Sequence, residues 1–218
     1  MKTNIKQFVL GAAILLALTA PAPALVTGTI STNWSGNQPV PDNNASGVAF
    51  SFFLNAPGPV VITDVTVDLN IAGGWDGDLY AYLSHGSGFS VLLNRVGRAA
   101  GNPGGSGLPG LTVQLADNYL TDIHTFTGNP LIGNFAPDGR NVNPFSALDT
   151  DPRNAMLGSF AGQDPNGAWT LFFADLSPLA VSSVQSWTVT VGTTVPEPGS
   201  ATFLGLAALL GFVRRVQS

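Results

Sequence analysis

Ile62 to Leu83, ITDVTVDLNIAGGWDGDLYAYL, decides the fold class of this chain. Val65, Val67, Leu69 and Ile71 alternate with Thr66, Asp68 and Asn70, giving one apolar and one wet face at the two-residue period of an extended strand. After Ala72-Gly73-Gly74-Trp75-Asp76-Gly77-Asp78 the alternation resumes, with Leu79, Ala81 and Leu83 on one side and Tyr80 and Tyr82 on the other. A helical period of 3.6 fits neither half. The stretch reads as a strand pair joined by a glycine- and aspartate-rich turn.

The same period recurs outward from it. Val48, Phe50, Phe52 and Leu54 form one strand before it, closed by Ala56-Pro57-Gly58-Pro59. Ser90 to Leu93 and then Leu111, Val113 and Leu115 form two after it. Trp169, Leu171 and Phe173 share a face of Ala168 to Asp175, and Trp187, Val189 and Val191 share a face of Gln185 to Val191. Thr27 to Ser46 is polar and reads as a lead-in loop with room for one short edge strand. Thr121 to Phe145 is loop-like, with short pairings around Ile123 to Phe126, and Ala147 to Phe160 has room for one short helical turn. Strands of this length between turn-rich connections predict an all-β domain, a jelly-roll or Greek-key β-sandwich over residues 27–192. A barrel is the runner-up.

Composition narrows the function. A chain of 218 residues with removable ends leaves one domain of roughly 170 residues, enough for its own core. Net charge is -5 and the isoelectric point about 4.6. Four of the eight Lys and Arg residues (Lys2, Lys6, Arg214, Arg215) lie in the terminal segments, leaving Arg95, Arg98, Arg140 and Arg153 for the domain. Phosphate binding needs clustered cations, so nucleic acid is excluded as a partner. The acidic balance reads as a mildly acidic surface or as recruitment of divalent cations. With no cysteine, thiolate catalysis and cysteine-ligated zinc are also excluded, and stability must come from the core or a metal.

The two ends read as addresses. In residues 1–24, Lys2 and Lys6 precede the apolar Phe8 to Ala20 and the small-residue site Ala22-Pro23-Ala24, the order of a cleavable secretory signal. At the other end, Val195-Pro196-Glu197-Pro198-Gly199 precedes an apolar run, read as a membrane helix over 200–213, and then Arg214-Arg215. The prolines keep the chain extended and remove backbone donors, while the arginine pair holds the tail on the cytoplasmic side. This order over residues 195–218 resembles the PEP-CTERM sorting signal of Gram-negative bacteria, and Pro196-Glu197-Pro198 match the motif residue for residue. The resemblance implies an exosortase-type membrane transpeptidase as partner. It also implies a route across the inner membrane, through transient anchoring, to the cell surface or extracellular matrix. The apolar run gives roughly 20 Å of helix against a core of about 30 Å.

A second resemblance covers nearly the whole domain. Pro39-Val40-Pro41-Asp42, Ile62-Thr63-Asp64-Val65, Leu69-Asn70-Ile71, Gly77-Asp78-Leu79, Phe160-Ala161-Gly162, Gly167-Ala168-Trp169-Thr170-Leu171, Asp175 and Ser186-Trp187 stand in an order similar to the P/Homo B domain of kexin- and furin-like subtilases. That family implies a jelly-roll-like sandwich that stabilises a neighbouring peptidase without catalysing anything. No residues remain here for an Asp-His-Ser catalytic domain, so the resemblance implies a separately encoded subtilisin-like serine peptidase as partner. The family usually carries a His shortly before its Gly-Asp-Leu, where this chain has Gly73-Gly74-Trp75-Asp76.

Few residues suit catalysis. Only His85 and His124 are available as general bases, both in expected loops, and Ser87 beside His85 lacks the Gly-x-Ser-x-Gly elbow. The only glutamate is Glu197 in the sorting motif. The six glycines from Gly97 to Gly110 lack the Lys-Ser/Thr of a phosphate cradle and read as a flexible surface loop. No catalytic residue is assigned, and a non-enzymatic surface or matrix protein is expected.

Calcium is the better use of the aspartates, because hard oxygen ligands in glycine-rich loops suit its loose geometry. Asp76 and Asp78 flank Gly77, while Asp117 and Asp175 each close a core strand and are placed at the same edge. The competing use is as solvated turn residues or caps of backbone amides. Trp169 and Trp187 alternate with core positions and read as packing residues. Trp75, Tyr80 and Tyr82 form a candidate platform for stacking on the sugar rings of exopolysaccharide.

Overall fold

Residues 27–195 are described by a computed structural model of the chain, and nine strands cross them. The strands are β1 (Thr27–Pro39), β2 (Asn44–Leu54), β3 (Val61–Gly73), β4 (Leu79–His85), β5 (Gly88–Asn94), β6 (Leu111–Leu115), β7 (Leu131–Phe135), β8 (Gly167–Asp175) and β9 (Ser182–Thr194). Short 3-10 turns occupy Asp76–Asp78, Ile123–Thr125 and Leu157–Phe160. The described residues form an all-β sandwich of a five-stranded sheet, order β1-β9-β3-β6-β7, and a four-stranded sheet, order β2-β8-β4-β5. Among the described residues no helix is long and apolar enough to cross a membrane. The signal segment, Pro196-Glu197-Pro198, the helix expected at 200–213 and Arg214-Arg215 all lie outside the described residues.

Alternation places the core. Val65, Val67, Leu69 and Ile71 of β3 and Val189 and Val191 of β9 meet Leu79, Ala81 and Leu83 of β4 and Leu171 and Phe173 of β8 across the sandwich. Burying each large side chain contributes about 1.5–3 kcal/mol relative to exposing it. One side of the core is aromatic. Trp187 of β9 packs on Phe50 and Phe52 of β2, and Phe52 stacks on Trp169, which also meets Phe160 and lies flat on His85 at 4.1 Å. Trp169 and Trp187 are 0% and 4% exposed, as their alternation implies.

Three expectations are corrected. The two strands of the opening stretch do not pair with each other: β3 lies in the five-stranded sheet and β4 in the four-stranded one, so residues 74–78 cross the sandwich. Alternation gives each strand an apolar face but is indifferent to whether two such faces lie side by side or opposed. Thr27 to Ser46 is not mainly loop. β1 runs for 13 residues against β9, with Thr27 opposite Thr194 and Trp34 opposite Trp187. As an edge strand it takes its order from backbone pairing and needs only Ile30 and Trp34 half-buried. Within Thr121 to Phe145, β7 pairs in parallel with β6, where a loop is expected.

Candidate functional site

The crossing between β3 and β4 is held by its glycines and by straps to a neighbouring loop. Gly73 and Gly74 leave β3 with φ of +67° and +62°, and a Cβ on Gly74 would lie 1.8 Å from Ser182 Oγ. The 3-10 turn Asp76–Asp78 follows, closed by Asp78 N–H donating to Trp75 O at 2.9 Å. Two straps tie it to the glycine-rich loop: Asp76 N–H donates to Leu108 O (2.9 Å) and Gly77 N–H to Ser106 O (2.8 Å). The loop is itself fixed, since Ser106 N–H donates to Val96 O and the Asn102 amide donates to Gly97 O and Gly105 O. The result buries Asp76 completely and leaves Asp78 3% exposed.

The two carboxylates have different surroundings. Asp78 Oδ1 lies 3.5 Å from Nη2 of Arg95, a buried guanidinium that also donates to Gly77 O (2.8 Å) and Ser177 Oγ (2.9 Å). Burial still holds the Asp78 carboxyl above its usual range, with Ser177 and Arg95 opposing the rise. Strand pairing sets Asp175 opposite Leu79, at the same end of the sandwich. Asp175 accepts from Ser177 N–H (3.4 Å) and Ser182 Oγ–H (3.3 Å), and burial, with the charge of Asp78 nearby, pushes it up to about 6. Asp76 has neither cation nor donor: both of its carboxylate oxygens are buried without a hydrogen-bond partner. Burial alone pushes its carboxyl up to about 7.

Asp117 does not join them. Antiparallel pairing of β6 with β3 sets Leu111 opposite Ile71 and Leu115 opposite Val67, which carries Asp117 to the far end of β3 from the crossing. There its carboxylate is exposed and accepts from Leu157 N–H (3.0 Å) and Gly158 N–H (2.6 Å), holding the turn Leu157–Phe160. The edge expected to be shared by Asp117 and Asp175 is therefore two opposite edges. Among the described residues no group of three or more acidic or imidazole side chains closes into a metal cage.

The two tyrosines of the expected platform stand side by side. Tyr80 and Tyr82 lie on the outer face of the four-stranded sheet, in a half-buried row with Phe172 of β8 and Phe89 of β5. Tyr82 stacks on Phe172 at 4.8 Å and lies 5.2 Å from Phe89 and 6.1 Å from Tyr80. Trp75, 41% exposed, stands at the crossing, and the row extends from Tyr82 to Phe172 and Phe89 across neighbouring strands.

Sequence periodicity gives no sign of a third, fully buried cluster. His124 Nδ1 lies 2.6 Å from Asp138 Oδ2 and its Nε2 lies 2.8 Å from Arg98 O. A carboxylate and a carbonyl can only accept, so the arrangement favours the imidazolium, the form in which both ring nitrogens donate. Burial opposes that charge, but the hydrogen bond and charge of Asp138 and the Arg98 carbonyl outweigh it, and the pKa of His124 lies above the ordinary histidine value. Asp138 also accepts from Asn94 N–H and Arg140 N–H, while Arg140 Nη2 donates to Asp122 Oδ2 at 2.8 Å and Asp149 O at 2.8 Å. His85 is committed as well, its ring nitrogens 2.9 Å from Ala168 O and 2.7 Å from Asp164 O. The one local signal was Asp122, two residues before His124, which accepts from its backbone N–H as a cap.

No protein-family model matches the chain, and no curated protein matches it. Among solved structures it is similar to a serine protease of Aeromonas sobria, at 14% identity and a TM-score of 0.39, covering 82% of this chain and 28% of that one. It is equally similar to the Aeromonas sobria serine protease in its complex with a chaperone, at 14% identity and a TM-score of 0.39 over 79% of this chain and 28% of that one. The chain thus spans less than a third of the length of these structures.

Proposed function

We propose that the protein is an exported, non-catalytic β-sandwich of the jelly-roll type, sorted by an exosortase-type transpeptidase and acting at the cell surface or in the matrix as a structural or adhesive module. The observation that supports the non-catalytic part of this reading is the state of the histidines. The chain has two, and each ring has both nitrogens engaged by acceptors of the fold, so neither is free to serve as a general base. The secretory and PEP-CTERM-like segments supply the address. Replacing Pro196-Glu197-Pro198 by alanines is expected to retain the chain in the inner-membrane fraction with its tail uncleaved; unchanged processing and release overturn the assignment.

A second role is favoured by the ring row on the four-stranded sheet. Tyr80, Tyr82, Phe89 and Phe172 are flanked on that face by the uncharged Ser84, Thr170 and Ser51, a surface suited to stacking on neutral exopolysaccharide. Tyr82→Ala, at the centre of the row, is expected to elute earlier than wild type from immobilised exopolysaccharide, and Trp75→Ala to elute with wild type. Equal retention of all three removes this role.

Service as an accessory domain to a separate subtilase rests on the P-domain resemblance. Most residues that carry it, among them Val65, Leu69, Ile71, Leu79, Trp169, Leu171 and Trp187, are buried. They specify a sandwich and leave the outer surface, where a peptidase would dock, unspecified. Co-purification with a peptidase from the native host is the observation that would favour it.

A further inference from the structure

We infer that the crossing between β3 and β4 is a calcium site, anchored by the Asp76 carboxylate, with main-chain carbonyl oxygens of the opposing loop, residues 104–108, as the further oxygen donors. The inference is independent of the surface or matrix role proposed above.

The deficit at this turn is local. Eight buried side-chain oxygen and nitrogen atoms of the described residues lack a hydrogen-bond partner, and three of them are Asp76 Oδ1, Asp76 Oδ2 and Asp78 Oδ2. Buried polar atoms are nearly always paired, so a fully buried carboxylate with both oxygens bare marks a missing partner. Arg95 does not supply it: its Nε and Nη2 face Gly77 O, Ser177 Oγ and Asp78 Oδ1, and both Asp76 oxygens stay without a partner. A proton on Asp76 would remove the charge but add a buried O–H that also needs an acceptor. A cation corrects both faults.

The surroundings select the cation. The chain has no cysteine, and both histidine rings are committed elsewhere, so soft and imidazole-preferring metals find no ligand. What the turn offers is oxygen on glycine-rich backbone. Gly77 and the opposing loop are pressed together, and a Cβ on Gly77 would lie 2.6 Å from Gly104 O and 2.5 Å from Ser106 N. This brings the carbonyls of Gly104, Ser106 and Leu108 against the backbone of the turn. One or two carboxylates completed by carbonyls and water suit calcium, which accepts six to eight oxygens in irregular geometry, better than magnesium with its strict octahedron. So few carboxylates also match the weak, millimolar-range affinity usual for extracellular calcium modules.

The test uses the full chain in detergent, stripped with chelator and titrated with terbium, whose emission is sensitised by a nearby tryptophan such as Trp75. Wild type is expected to give saturable emission that calcium displaces, and to melt at a higher midpoint in calcium than in chelator. Asp76→Asn is expected to lose both responses, and Asp117→Asn, at the opposite end of the sandwich, to keep both. Should Asp76→Asn fail to fold, Trp75→Phe decides: it is expected to lose most of the terbium emission while keeping the calcium shift in melting. Absence of sensitised emission in wild type, identical melting in calcium and chelator, a full response in Asp76→Asn, or undiminished emission in Trp75→Phe overturns the site.

Discussion

The two sheets and the long connections around β6 and β7 are built on opposite principles. In the sheets, apolar side chains at every second position form one contiguous core. In the connections, charged side chains hold the chain by reaching for its backbone. All four arginines of the described residues donate to main-chain carbonyls: Arg95 to Gly77 O, Arg98 to the carbonyls of Ala147, Pro103 and Phe145, Arg140 to Asp138 O and Asp149 O, and Arg153 to Asp138 O and Pro137 O. A guanidinium has five donors and no acceptor, which makes it an efficient clamp for loops whose carbonyls lack strand partners. The lesson is that a chain with 10% charged residues can place them inside, where loops need them.

The contrast is broken most forcefully by removing one centre of each kind. Trp169→Ala empties a wholly buried site that joins Phe52, Phe160 and His85, and is expected to cost about 3–5 kcal/mol. Because that site belongs to the common core, hydrogen exchange should quicken together in β3, β8 and β9. Asp138→Ala leaves buried His124 and Arg140 without their shared carboxylate, and removing one partner of a buried ion pair costs about 3–5 kcal/mol. Here exchange should quicken first at Gly97, Ile123, Ala136 and Gly139, whose N–H groups bond across the connections, while β3 and β9 stay protected. Identical exchange patterns in the two variants would mean that the connections have no separate organisation.

A subtler perturbation is pH. The folded-state pKa of His124 lies above its unfolded value, so its contribution to stability is complete below the unfolded pKa of about 6.5 and is lost as pH rises through the folded value. Urea midpoints of wild type measured from pH 6 to pH 9 should therefore fall relative to those of His124→Gln, which has no proton to lose. Parallel curves would show that the ring is not charged in the folded protein.

How much of this was legible in the sequence follows from the same contrast. The apolar faces of β3, β4, β8 and β9 were readable because burial on one face imposes a period of two. Their assignment to sheets was not, since Val65 to Ile71 and Leu79 to Leu83 carry the same pattern whether paired or opposed. β1 was hidden because an edge strand satisfied by β9 needs little apolar surface. Of the four candidate metal ligands, Asp76 and Asp78 share one turn through local sequence, and strand pairing brings Asp175 near Asp78. Asp117 ends a strand equally well yet lies at the wrong end, because antiparallel register reverses direction. The His124, Asp138 and Arg140 cluster has no period at all: its members are joined by three-dimensional convergence of loops.

The crossing at Asp76–Asp78 belongs to both regimes, being a link between core strands that is strapped by loop backbone, and Gly77 tests which one governs it. A Cβ there would meet Ser106 N, Gly104 O and Gly105 C at 2.5–2.7 Å, all backbone atoms that cannot swing aside. Gly77→Ala must therefore push the loop away, stretching the straps from Gly77 N–H to Ser106 O and from Asp76 N–H to Leu108 O. Overpacking of this kind costs about 1–3 kcal/mol. Gly101→Ala, in the same loop but with nothing within 4 Å of the added carbon, should change stability by no more than about 0.5 kcal/mol. If Gly77→Ala is instead as mild as Gly101→Ala in denaturant unfolding, the loop yields freely and β3 and β4 alone fix the crossing. A large difference means that the glycine-on-backbone contact holds the turn, and that the burial of Asp76 is imposed by the loop.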